Sequence, residues 1–165
     1  MAVDPRIVID EVLKARAGEI EQRQAIIRVA PGLPLVACHP AYLRQIFDNV
    51  LANALKYARP GEPPVVELAA STTRQTVCFS VRDEGIGIPG EQRERVFQPF
   101  VRLRRVDVPG SGIGLAIVQR IVELYGGHVW IETPEGGGCE VKFTLPWINL
   151  ESDELARPVG EESTS

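Results

Sequence analysis

At 165 residues with 44% apolar and 24% charged side chains, the chain has material for one ordinary globular domain. A net charge of -4 argues against general affinity for nucleic acid or anionic lipid, and no apolar run approaches the roughly 20 residues of a membrane helix. Three scattered cysteines (Cys38, Cys78 and Cys139) and two histidines lack metal-ligand or redox spacing, which reads as reduced cytoplasmic thiols filling a core.

Asp4-Pro5 opens a helical pattern with an N-cap and a proline at the first helical position. Ile7, Val8, Val12 and Leu13 give it an apolar stripe, which fades in the polar stretch Glu19 to Gln24. Short strands are expected at Ile26 to Val29 and Leu35 to Cys38, about the Pro/Gly turn Pro31 to Pro34. The clearest helix runs from Pro40 to about Ala58, with Leu43, Ile46, Phe47, Val50, Leu51, Ala54 and Leu55 at helical spacing, and Pro60-Gly61 stops it.

Strands Val65 to Ala70 and Val77 to Val81 follow, joined by the polar turn Ser71 to Gln75. Next comes an irregular stretch, Asp83 to Ser111, holding one short charged helical piece at Glu91 to Val96. So long an unstructured segment inside a compact domain points to a functional lid or to disorder. Gly112 to Tyr125 is a second clear helix closed by Gly126-Gly127, and strands Val129 to Glu132 and Glu140 to Leu145 end the fold. The expected architecture is an α+β two-layer sandwich, a mixed and mostly antiparallel sheet with about three helices on one face. Residues 1–25 are either a helix of the same domain or a linker, 26–147 form the domain, and 148–165 read as a disordered acidic tail.

Three segments carry chemistry. On the helix from Pro40, Asn49, Asn53 and Lys56 are expected to lie opposite the apolar stripe, offering amide oxygens to a metal or its water shell and an ammonium to phosphate. Asp83-Glu84-Gly85-Ile86-Gly87-Ile88 follows a strand, so a carboxylate can accept from an exocyclic amine while bare backbone admits a flat base. Gly85, Gly87 and Gly90 formally match GxGxxG, but Pro89 and a charged run follow where the dinucleotide fingerprint needs an apolar helix. Gly110-Ser111-Gly112-Ile113-Gly114-Leu115 opens the second helix with free N–H groups suited to phosphate, without the Gly-Lys-Ser/Thr of a Walker A loop. Taken singly, each has a bland reading: a solvated helix face, a tight turn, a hinge.

In this order they resemble the Bergerat ATP-binding fold, and most closely the catalytic domains of sensor histidine kinases. Asp48 to Tyr57 is similar to the N box, Asp83 to Ile88 to the G1 box, Val96 to Phe100 to the F box and Gly110 to Leu115 to the G2 box. The resemblance implies ATP and Mg2+ as ligands, with Asn53 as the metal ligand and Asn49, Lys56 and Tyr57 at the phosphates or the metal's water shell. It implies Asp83 as the adenine-reading carboxylate, Gly85, Gly87 and Ile88 beside the base, and Phe97 and Phe100 as lid anchors. Arg102, with Arg104 or Arg105 as substitutes, would reach the γ-phosphate, and Gly110, Gly112, Gly114 and Leu115 would line the phosphate end. The stretch from Phe100 to Gly110 resembles phytochrome-linked kinases.

Asn49 stands where gyrase-like and MutL-like ATPases of this fold carry a general-base glutamate, and an amide takes no proton. Departures from the kinase pattern are Glu84 for asparagine, His39 for aspartate before the helix, and Cys139 and Val141 for Ser/Thr and Phe, the last two reading as packing changes. Neither His39 nor His128 has the context of a phosphoaccepting histidine, so the implied acceptor is a histidine-bearing helical hairpin on a separate domain, and behind it a response regulator. The expectation is an excised fragment, or else a split kinase acting in trans, monomeric and cytoplasmic, with no nucleic-acid or direct membrane contact. A regulatory module that binds nucleotide without transfer, and a gyrase- or MutL-like ATPase, are the alternatives.

Overall fold

The side-chain alternation of three long strands builds the molecule's two layers. The computed structural model describes residues 2–56, 61–84, 114–134 and 137–147. Five strands, β1 (Ile26–Val29), β2 (Val65–Thr72), β3 (Thr76–Asp83), β4 (Val129–Glu132) and β5 (Cys139–Pro146), form one sheet in the order β1-β2-β3-β5-β4. The β1–β2 pair is parallel and the other three are antiparallel, so the sheet is mixed and the fold α+β.

Successive strand residues point to opposite faces. Val77, Phe79, Val81 and Asp83 of β3 therefore go under the helices with Cys139, Val141, Phe143 and Leu145 of β5, all of them buried. Helix α3 (Pro40–Lys56) lies over β3 and packs beside α4 (Gly114–Leu124), which reaches β4 and β5. Phe47 of α3 meets Phe79 edge-on at 5.4 Å and Phe143 at 5.7 Å, while Phe79 and Phe143 stack at 5.1 Å between centroids. Aromatic pairs prefer such edge-on and offset arrangements and bury a large apolar area together.

Helix α1 (Pro5–Ala15) is capped by Asp4, whose carboxylate accepts from Arg6 N at 2.9 Å. Its Val8, Ile9 and Val12 belong to the same buried cluster as the sheet. The polar stretch where the apolar stripe fades is a separate short helix, α2 (Ala17–Arg23). No α2 residue is buried, so apolar periodicity had nothing to register there.

The expected strand at Leu35 to Cys38 reduces to isolated bridges of Val36 with Val3 and with Trp147. Val3 cannot extend the ladder because Asp4 already turns the chain into α1. The neighbouring strands run further than their hydrophobic pattern suggested. β2 continues to Thr72, a tight turn closes through Thr73 Oγ1 accepting from Thr76 N at 3.2 Å, and β3 continues to Asp83. The helical piece expected at Glu91 to Val96, the lid and the 148–165 tail lie outside the described residues.

Candidate functional site

His39 immediately precedes helix α3, and its Nδ1 accepts from Ala41 N at 3.1 Å, so the imidazole takes the capping place that an aspartate has in the kinase pattern. The Tyr125 hydroxyl, at the end of α4, accepts from His39 N at 3.0 Å and ties the two helices together. With the apolar side of α3 fixed on the sheet, Asn49 and Asn53 are half-buried along the edge of that side. The first residue of α4 packs directly on this edge: a methyl group at Gly114 would meet Asn49 Oδ1 at 3.4 Å.

Asp83 ends β3 on the covered face and is 6% exposed, the one buried charged residue among those described. A carboxylate in that position is expensive unless it has partners or a task, and Asp83 does make polar interactions within the fold. The turn before β5 presses on it from the other side. Gly138 has φ +87°, and a Cβ there would lie 2.1 Å from the Asp83 carbonyl oxygen, so only glycine fits.

Between α3, the start of α4 and the β3–β5 pair is a cleft of about 310 Å³ including its open mouth, lined by Asn53, Asp83 and Leu115 among others. Three segments far apart in sequence thus meet in one place. Asn49 and Gly114 touch beside it, and Lys56 ends α3 half-buried without lining it. Tyr57, Gly85, Gly87, Ile88, Phe97, Phe100, Arg102, Arg104, Arg105, Gly110 and Gly112 lie outside the described residues.

The sequence reading passed over the apolar walls, Val50, Ala54, Val81 and Val141, and one thiol, Cys139. The first two belong to the α3 stripe already read as core, and their position beside Asn53 was the available signal. Cys139 and Val141, read as packing changes, are buried and line the cleft as well.

Charge pairs anchor α3 from outside. Arg16 Nε donates to Asp48 Oδ1 at 2.7 Å, one residue before Asn49, and this hydrogen bond is the main cause holding the Arg16 guanidinium above its usual range, against desolvation. Arg44 approaches Glu11 at 3.8 Å, and Arg23 donates to the Leu55 carbonyl near the helix end. Under the α3 start, burial pushes the Cys38 thiol up, with a hydrogen bond from Tyr125 pulling the other way.

For a cation, the donor set fits magnesium carried by phosphates. Asn53 lines the cleft with a neutral amide, and the described residues contain no group of three His, Cys, Asp or Glu arranged to hold a metal ion by themselves. Magnesium takes few protein ligands when substrate phosphates and waters supply the rest.

Comparison with known proteins identifies the family. Residues 38–149 match the family described as histidine kinase-, DNA gyrase B-, and HSP90-like ATPase. The methanogenesis regulatory histidine kinase FilI of Methanothrix harundinacea is 38% identical over 139 residues, 84% of this chain and 16% of that protein. The chain therefore spans less than a fifth of this relative's length. Among solved structures, the mycobacterial sensor histidine kinase MprB superposes with a TM-score of 0.79 at 28% identity, covering 89% of this chain and 98% of that one. Full-length ShkA in complex with AMPPNP gives 0.77 at 32% identity over 90% of this chain and 31% of that one. A mixed sheet with an asparagine-bearing helix and a strand-end carboxylate converging on one cleft, matched at this level over most of its length, makes the chain a member of that ATPase family, of the type that forms the ATP-binding catalytic domain of sensor histidine kinases.

Proposed function

We propose that the domain holds Mg-ATP in the cleft between α3, α4 and the β3–β5 pair and donates the γ-phosphate to a histidine on a separate helical-hairpin domain. The observation that carries this reading is that Asn53 and Asp83, 30 positions apart in sequence, line one cleft. The AMPPNP bound in the ShkA structure supports the choice of nucleotide.

In this reading the Asp83 carboxylate accepts from the exocyclic amine of adenine, with Gly85, Gly87 and Ile88 along the ring. Asn53 holds Mg2+, which neutralises phosphate charge when bound. Asn49, Lys56 and Tyr57 steady the phosphates, and Gly110, Gly112, Gly114 and Leu115 supply the helix start against which they rest. Phe100 anchors the lid, and Arg102 brings a guanidinium to the γ-phosphate. Transfer forms a bond between an imidazole nitrogen and the γ-phosphorus while the bond to the β,γ-bridging oxygen breaks and ADP leaves. Asn49 cannot accept a proton, so water is not activated there and catalysis rests on positioning and charge stabilisation. The partners are then the hairpin domain and, beyond it, a response regulator, in the cytoplasm.

Mixing the chain with a matching hairpin domain and γ-labelled ATP tests the proposal. Acid-labile phosphohistidine on the hairpin is the expected product. Nucleotide binding with no transfer would make the domain a regulatory module, and free phosphate released without the hairpin would make it a hydrolytic ATPase.

A further inference from the structure

His39, a departure from the kinase pattern, carries both marks of an N-cap. Its carbonyl accepts the first hydrogen bond of α3 from Leu43 N at 3.0 Å, and its Nδ1 accepts from Ala41 N at 3.1 Å. The preferred capping side chains offer an oxygen that keeps its lone pairs at neutral pH. An imidazole nitrogen accepts only while it carries no proton, and imidazolium has two donors and no acceptor. Histidine gains that proton at about pH 6.5 in water, and the His39 ring is exposed to it. The same residue also receives α4, since its N–H donates to the Tyr125 hydroxyl at 3.0 Å.

We propose that His39 is a pH-gated N-cap: the neutral ring holds the first turn of α3, and protonation releases that turn at the point where α3 is tied to α4. The added proton would set a donor against the Ala41 N–H and place positive charge at the positive end of the helix dipole. The unfolded chain takes up the proton with no such loss. Stability is therefore complete on the alkaline side of the imidazole titration and falls as pH drops through it. Cys38, Tyr42 and Tyr125 face His39 and stay neutral over this range, because burial pushes the Cys38 thiol up and phenols ionise at about pH 10. Tyr42 meets the imidazole edge-on at 5.9 Å between centroids, and the last turn of α4 carries the exposed Glu123; both favour imidazolium, weakly at an exposed site. On the α1 side, Glu11 is taken up by Arg44 at 3.8 Å. The device is independent of what the cleft binds.

Thermal unfolding of the full chain at pH 7.5 and pH 5.5 tests it, with His39→Asn as the reference because an amide oxygen caps at both. The Tm gap between the two proteins is expected to widen in acid by about 2–4 °C, the effect of one lost cap in a chain of this length. His128, the second histidine, is present in both proteins and cancels. In nitrogen-15 spectra the Ala41 amide resonance is expected to move with the same midpoint as the His39 ring, and to stay still in His39→Asn. A gap that is equal at the two pH values overturns the inference. So does a gap that narrows in acid, which would mean that Tyr42 and Glu123 make imidazolium the favoured form. An Ala41 amide that ignores the ring overturns it even where the gap widens, because charge alone would then account for the loss.

Discussion

The two faces of the sheet treat charge in opposite ways. On the open face one cross-strand row reads Arg28, Glu67, Arg82, Glu140, Glu132, and the neighbouring row contains Lys142. Arg28 meets Glu67 at 3.2 Å, and Lys142 reaches Glu132 at 2.6 Å and Glu140 at 3.3 Å. On the covered face the equivalent row is Ile27, Val66, Asp83, Cys139, a single carboxylate set among apolar side chains. Charges facing water cost little and mean little, whereas a charge under the helices must be supported by the fold around it. That contrast sets Asp83 apart from every charge on the open face.

Substitutions on the two faces should therefore diverge, most of all in stability. Phe79→Ala on the covered face removes the ring stacked on Phe143 and is predicted to cost about 3–5 kcal/mol, while Ser80→Ala next to it on the open face changes stability by about 0.5 kcal/mol or less. Urea unfolding midpoints of the pair would dissolve the contrast if they coincided. In binding, Asp83→Asn is predicted to weaken ATP and ADP alike by about 1.5–3 kcal/mol, on the order of 10- to 100-fold, because the adenine contact is common to both. Glu67→Gln on the open face serves as the control and leaves both affinities where they were. Smaller again is Asn53→Ala, predicted to remove the part of ATP affinity that magnesium adds and to spare ADP binding in chelator. Calorimetry with and without magnesium reads both, and an unchanged magnesium increment removes Asn53 from the metal role.

How far the sequence foretold this depends on how local each feature is. The α3 stripe was legible because a 17-residue helix repeats its buried face over several turns, but Asn49 and Asn53, expected opposite that stripe, are half-buried at its edge. Asp83 was legible as chemistry but not as a strand residue, since an Asp-Glu-Gly run looks like a turn. The ladder carries β3 two residues further because Val66 and Cys139 pair with Asp83 from both sides. The cleft-lining role of Cys139 was not legible, because it depends on a register between strands more than 50 positions apart, which no local pattern encodes. The separate helix α2 escaped for the converse reason: it buries nothing, so its only sequence signal was ordinary helix propensity.

The open face offers the smallest effect and the sharpest check on whether its charges are only bystanders. Glu132 and Glu140 are register partners, and like charges directly opposite one another destabilise an antiparallel pair. The Lys142 ammonium lies between them, and its pKa is raised, chiefly by the hydrogen bond to Glu132. A cation whose pKa is higher in the folded state adds stability that is complete below its unfolded pKa and is lost as pH climbs through the folded one. The contribution is therefore intact at neutral pH and disappears only in strongly alkaline solution. Lys142→Met is predicted to cost about 1 kcal/mol at neutral pH and low salt, less as salt is added, because it exposes the two glutamates to each other. Adding Glu132→Gln should recover most of that loss. If the double variant is no more stable than Lys142→Met alone, the lysine acts through its aliphatic stem against the sheet, and the charge row on this face is incidental.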